Sequence, residues 1–241
     1  ATSDWPWNNV KVWRPRTPEG EWRWILFDGD YGLRGGHLGA STNMFNQLRN
    51  QYNFTGDLFL KLTQNNEFVH KFANRYADKL NSVYGEFPMI QRVNQFEDGI
   101  EAAMPRHITR WKGTFYDSRN WLSSALEDMK DWRDNVQVVR GFVTNRQANV
   151  WDNMMNEFGI APDERVTFTV NTPSGNGTVK VNTVNVQQFP WKGDYFSGFP
   201  IQVTAQPAGG YRFERWSGTD KSGPVISVDP GRTSSVKAHF V

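Results

Sequence analysis

Asp4, Asn9, Asp28 and Asp30 are the residues of this chain whose types and spacing could do chemistry. They stand in two short motifs near its start, Asp4-Trp5-Pro6-Trp7-Asn8-Asn9 and Asp28-Gly29-Asp30-Tyr31-Gly32. A carboxylate can orient an attacking hydroxyl, while an amide oxygen and one or two further carboxylates can hold a hard divalent cation. Mg²⁺ usually keeps several waters and takes only one or two carboxylates, so a sparse donor set suits it. Such a combination serves phosphoryl transfer, which asks mainly for positioning and charge neutralisation from rigidly held groups. Asp28 and Asp30 are two residues apart, so in an extended segment their carboxylates would share a face. The competing reading is local: Asp, Asn and Pro all favour turns, and Asp-Gly-Asp is also a common way to end a strand. A hydrolase working through Asp28 and Asp30 fits poorly. Glycosidase carboxylates face each other across a substrate, at least about 5 Å apart, and usually come from separate elements.

The element that must position these groups is a β-hairpin. Asn9 to Arg14 (NVKVWR) and Trp22 to Phe27 (WRWILF) flank a Pro/Gly turn at Thr17 to Gly20, which predicts a hairpin over 9–28 with both motifs at one end of a small sheet. An Asp, an Asn five residues on, two strands and then Asp-aromatic-Gly is the order in which a protein-kinase C-lobe presents its catalytic and metal-binding loops. The glycine cluster from Gly32 to Gly39 follows the acidic motif. It does not open a strand–turn–helix unit, so it reads as a loop and not as a phosphate cradle.

From about Asp57 to Phe158 the apolar spacing becomes 3 and 4, predicting amphipathic helices. One begins at Asn66 and carries Phe68, Val69, Phe72, Tyr76 and Leu80; the next has Pro88 in its first turn and Ile90, Val93, Phe96 and Ile100 along one side. Pro105 should end or kink it before Ile108 and Trp111. A third helix is expected from Asp117 or Ser118 through Trp121, Leu122, Leu126 and Met129, and a fourth over 136–158, stopped by Gly159. His70 and His107 have no partner at ligand spacing and read as core or surface residues.

Ile160 to Glu164 (IAPDE) marks the expected domain boundary, giving domains of 1–160 and 161–241. Beyond it the period is two: Val166, Phe168 and Val170 alternate with Thr, a turn follows at 173–177, and strands are expected at 178–184, 201–205, 211–216, 225–228 and 235–241. The fold class is α+β: a β-hairpin with helices, like part of a kinase C-lobe, then a small all-β antiparallel sandwich or sheet. Trp191, Tyr195, Phe196, Tyr211 and Trp216 could form a platform for a carbohydrate or other surface ligand, but large aromatics also fill a small core cheaply.

Composition bounds the rest. With 38% hydrophobic and 22% charged residues the chain is an ordinary globular one, and a net charge of +2 gives no nucleic-acid footprint. No apolar run approaches a membrane span. The absence of Cys excludes disulfides and thiolate chemistry. Most of the 11 Trp are expected in cores. No acidic cluster has EF-hand spacing, so Ca²⁺ is not indicated.

The run DWPWNNVKVWRPR…GEWRWILFDGDYGL resembles the CotH kinase family, the atypical kinases named after spore coat protein H, and the similarity continues through NEFVHKFANRYADKL (66–80) and MPRHITRW (104–111) to about residue 160. The resemblance implies that Asp4 is the catalytic Asp and that Asn9 and Asp30 hold Mg²⁺-ATP. It also makes Asn9, Asp28 and Asp30 the metal-site residues, with Asp30-Tyr31-Gly32 nearest to Asp-Phe-Gly. The implied reaction is transfer of the ATP phosphoryl group to protein Ser/Thr, with ATP and Mg as cofactors. A kinase also needs a nucleotide-covering loop and a Lys–Glu pair. Only three residues precede Asp4, so the expectation is a C-terminal fragment of a longer kinase, inactive and cofactor-free alone. The stretch FPIQVTAQPAGGYRFERWSG resembles the divergent internalin B-type bacterial repeat, covering about 165–241. That family is usually an extracellular spacer or adhesion-like module, which implies a cell-envelope or secreted location, a cytoplasmic one staying open. A different class is a cell-surface binding protein whose kinase-like half is degenerate; aromatics exposed in a row would favour it.

Overall fold

The computed structural model describes the whole chain except residues 1, 3, 7, 35–37, 51–53 and 114–125. In chain order its elements are β1 (Lys11–Trp13), β2 (Arg23–Ile25), α1 (Met44–Asn50), α2 (Phe54–Leu62), α3 (Asn66–Leu80), α4 (Glu86–Glu101), α5 (Met104–Trp111) and α6 (Met129–Phe158). A 3₁₀ turn at Pro162–Glu164 then leads to β3 (Arg165–Asn171), β4 (Gly177–Val181), β5 (Val184–Val186), β6 (Trp191–Phe196), β7 (Ile201–Pro207), β8 (Phe213–Ser217), β9 (Val225–Val228) and β10 (Ser235–Phe240). The α+β class and the order of helices before strands are those expected. In space the residues group into two compact units, 1–44 with 86–149 and 45–85 with 150–241.

In the first unit β1 and β2 form the antiparallel hairpin, with Lys11 opposite Ile25 and Trp13 opposite Arg23. Its helices pair through polar contacts that run in opposite directions along the chain. Glu86 N donates to Gln147 Oε1 at 3.3 Å, Arg140 bonds Asn94 and Glu97, and Arg133 bonds Glu101 at 2.9 Å. Hence α4 and the first part of α6 are antiparallel. Met104, Ile108 and Trp132 make a small core with Leu126, Met129 and Val136. Pro105 lies in the first turn of α5, separating it from α4 as its missing N–H requires. Most of the third expected helix lies outside the described residues. Met129 belongs instead to α6, which starts earlier than 136 because Asp128 Oδ1 accepts the N–H of Asp131 at 2.8 Å and caps it.

The second unit contains α1, α2, α3, the end of α6 and all eight later strands. Asn65 caps α3 by accepting the N–H groups of Glu67 and Phe68. Gly159, at φ 64, ends α6 as expected. Phe45, Phe59, Phe72 and Phe158 pack ring against ring, with centroids 5.4 to 6.3 Å apart.

The strands make two four-stranded sheets, β6-β3-β10-β8 and β5-β4-β7-β9, antiparallel except for β3 with β10. Alternate residues Phe168, Val170, Val179, Val181, Ile201, Val203 and Val236 are essentially fully buried. A Cβ on Gly177 of β4 would meet the ring of Phe240 of β10 at 2.7 Å, so the sheets approach closely there and Gly is required. Two strands escape the sequence pattern. The run 178–184 is broken at Asn182, whose φ of 45 turns the chain into β5; Asn tolerates this region. β6 reads WKGDYF, in which Gly and Asp hide a strand. Gly193 is needed because a Cβ there would lie 2.3 Å from the Trp191 ring.

Asp78 of α3 is buried among these strands. It accepts bonds from Tyr195 Oη at 2.9 Å, Thr183 N at 3.0 Å, Thr183 Oγ1 at 2.5 Å and Asn182 Nδ2 at 3.2 Å. At the end of α3, Asn81 both donates to the carbonyl of Asp194 at 2.7 Å and accepts its N–H at 2.9 Å, covering the β6 edge as a neighbouring strand would. Burial, with the Asp78 carboxylate beside it, holds the Tyr195 pKa well above 10.0. A raised pKa means that the folded state keeps its proton where the unfolded state loses one, so stability falls as pH rises above about 10. Denaturant titrations from pH 8 to 11 should show this loss, and Tyr195→Phe should flatten it.

Candidate functional site

The hairpin puts the two acidic motifs side by side. Asn9, two residues before β1, has φ 55, and Asp28, three residues after β2, has φ 52. Such left-handed residues are where Asn and Asp are tolerated best, and here they turn the chain out of each strand. Asn9 Nδ2 donates to Asp4 Oδ2 at 3.3 Å and to the carbonyl of Asp28 at 3.2 Å. One amide therefore joins the first motif's carboxylate to the second motif's backbone. Within the first motif Asn8 N donates to the Asp4 carbonyl at 2.8 Å, closing a tight loop over a cis Trp5–Pro6 peptide.

Asp28 and Asp30 are exposed, and Gly32 N donates to the Gly29 carbonyl at 2.9 Å, so Asp30 lies inside a turn. Because Asp28 is left-handed, the segment is not extended and strand alternation does not put the two carboxylates on one face. The turn closed by Gly32 N on the Gly29 carbonyl carries Asp30 instead. Among the described residues no side-chain hydrogen bond or ion pair engages either carboxylate, and Asn9 Oδ1 accepts none. Among the described residues no three His, Cys, Asp or Glu side chains gather to hold a metal ion. An amide oxygen with one or two carboxylates is a donor set that fits Mg²⁺, which completes its shell with water and phosphate oxygens, better than a cation needing an all-protein cage.

Both ends of the hairpin are braced. Gly20 N donates to the Thr17 carbonyl at 3.0 Å, and a Cβ on Gly20 would strike the Pro15 carbonyl oxygen at 2.2 Å. Lys11 Nζ lies 4.4 Å from the centre of the Phe27 ring, and the Arg14 guanidinium 5.3 Å from that of Trp22. Trp13, Trp22 and Trp24 remain 47%, 64% and 51% exposed, against the expectation that most Trp are in cores: a two-stranded ribbon has no second layer to cover it. The chain after the second motif is held from a distance. Arg146 of α6 donates to the carbonyls of Ala40 at 2.7 Å and Thr42 at 2.6 Å. No sequence signal pointed to Arg146, since it lies more than a hundred residues away and outside any motif. Of the glycine cluster, residues 35–37 lie outside the described residues.

The other sequence candidates resolve as packing. The His70 ring lies 4.2 Å from that of Phe199, and His107 is exposed. Tyr195, Phe196 and Trp216 are buried, Trp191 is half-buried, and Tyr211 is 46% exposed. The three buried rings fill the β-sandwich, which leaves no row of exposed aromatics from this set.

Compared with known families, residues 1–150 match the CotH kinase protein family and residues 166–241 match the divergent InlB B-repeat domain. No curated protein and no solved structure matches the chain.

Proposed function

This chain belongs to the CotH kinase family, and on that premise we propose that its acidic hairpin is the catalytic loop of an atypical protein kinase transferring phosphoryl groups from ATP to protein Ser/Thr hydroxyls. Asp4 accepts the hydrogen bond of the substrate hydroxyl and takes its proton as the oxygen attacks the γ-phosphorus. The bond to the ADP oxygen breaks in line with that attack. Asn9 Oδ1 and Asp30, with Asp28 beside them, would hold Mg²⁺, whose charge offsets that of the phosphates. The observation that carries this reading is the bridge of Asn9 Nδ2 between Asp4 and Asp28, which leaves the Asn9 carbonyl oxygen free for a cation. A bacterial cell-envelope or secreted location fits the repeat domain that follows. The reading as a surface protein with an aromatic ligand platform loses its main support, because Tyr195, Phe196 and Trp216 of the expected platform are buried.

Mg²⁺-dependent ATP binding by the intact protein, with Asp30→Ala as comparison, tests the assignment. Losing even an outer-shell partner of a metal costs about 10-fold or more, so removing this carboxylate ligand should weaken Mg²⁺-dependent binding by at least about 10-fold. An intact protein that binds no ATP with Mg²⁺, or an Asp30→Ala protein that binds it equally, would sink the proposal.

A further inference from the structure

The sheet β6-β3-β10-β8 has one face in the sandwich core and one outside it. On β3, Phe168 and Val170 are fully buried, so Thr167, Thr169 and Asn171 belong to the outer face. The register carries that face across three strands. Thr169 is opposite both Lys192 of β6 and Ser235 of β10, Asn171 is opposite Lys237, and Thr167 is opposite Asp194. Thr167, Thr169, Asn171, Lys192, Ser235 and Lys237 border an open depression of about 490 Å³.

Its charge is one-sided. Lys192 and Lys237 have no ion pair among the described residues, and Asp194, opposite Thr167, is taken by Arg165 at 2.6 Å and by the Thr167 hydroxyl at 2.8 Å. What remains is two unneutralised ammonium groups set among hydroxyls and an amide. A shallow, open, hydroxyl-lined surface recognises an extended polar chain better than a compact molecule, which needs an enclosing pocket. Single-stranded nucleic acid would ask for aromatic stacking faces, and no aromatic residue borders this depression. We infer that this face docks an anionic polysaccharide, its acidic groups on Lys192 and Lys237 and its hydroxyls on Thr169, Asn171 and Ser235. The inference is independent of the phosphoryl-transfer reading, which concerns other residues in the other compact unit.

The test is binding of the full chain, at low ionic strength where exposed charges act most strongly, to heparin as a sulfated probe and polygalacturonate as a carboxylated one. Neutral dextran and a single-stranded oligonucleotide serve as comparisons. The double variant Lys192→Gln/Lys237→Gln should weaken binding to the anionic glycan about tenfold, equivalent to about 1.4 kcal/mol. The variant Lys71→Gln/Lys180→Gln removes the same charge from α3 and from β4 of the other sheet, neither of which borders the depression, and should bind as the parent does. Which probe is held identifies the acidic group as sulfate or carboxylate, either result supporting the site. Binding to neither, equal loss in both double variants, or tighter binding to the oligonucleotide would overturn it.

Discussion

Asp4→Asn in the intact protein is expected to lower phosphoryl transfer about 1,000-fold, within the range usual for loss of a positioned general base, while ATP affinity with Mg²⁺ changes little. The substitution keeps the side chain's size, and its amide oxygen can still accept the bond from Asn9 Nδ2, which spans 3.3 Å in the parent. The loop closed by Asn8 N on the Asp4 carbonyl uses backbone alone and survives. What disappears is the negative charge that orients the attacking hydroxyl and accepts its proton. Initial rates of phosphoryl transfer, ATP affinity and thermal midpoint, measured together, separate the two readings of the residue. If Asp4 is only a turn residue, its replacement by the isosteric amide leaves the rate untouched. A rate within threefold of the parent therefore removes Asp4 from the catalytic role.

How much of this was legible in the sequence depended on the range of the interaction. Helix starts and stops were local and readable: α3 opens at Asn66, Pro105 stands in the first turn of α5, and Gly159 follows α6. The acidic motifs were readable because hairpin register fixes their relation. The conformation of Asp28 was not, since a left-handed φ at a non-glycine residue depends on the turn that tertiary structure imposes. β6 escaped because Gly193 and Asp194 break the alternation, yet both are used: the first yields room to Trp191, and the second pairs with Arg165 and Asn81. Arg146 and Asp78 were illegible for one reason. Their partners lie about a hundred residues away in sequence, and neither stands in a repeat, motif or periodic stripe that would mark it.

Asp78 carries the other large expected effect. Asp78→Ala should destabilise the second unit by about 3–5 kcal/mol, the range for removing one partner from a buried, charge-assisted hydrogen-bond set. Four donors converge on this carboxylate, which is 1% exposed: the Tyr195 hydroxyl, both donors of Thr183 and the Asn182 amide. Truncation leaves Tyr195 Oη, itself on a fully buried residue, and the Thr183 N–H without this acceptor. Tyr195→Phe removes only one donor and leaves the carboxylate three, so its cost should be about 1–2 kcal/mol. The double variant should cost less than the sum of the two, because once Asp78 is gone the hydroxyl of Tyr195 is a liability. Urea titration of the parent, both single variants and the double variant measures all three quantities. Additive costs, or an Asp78→Ala cost below about 1 kcal/mol, would show that the cluster is not a cooperative network. Helix α3 lies within the 1–150 match and its strand partners within the 166–241 match. A large coupled cost would thus establish that this helix of the kinase-family segment folds with the repeat module.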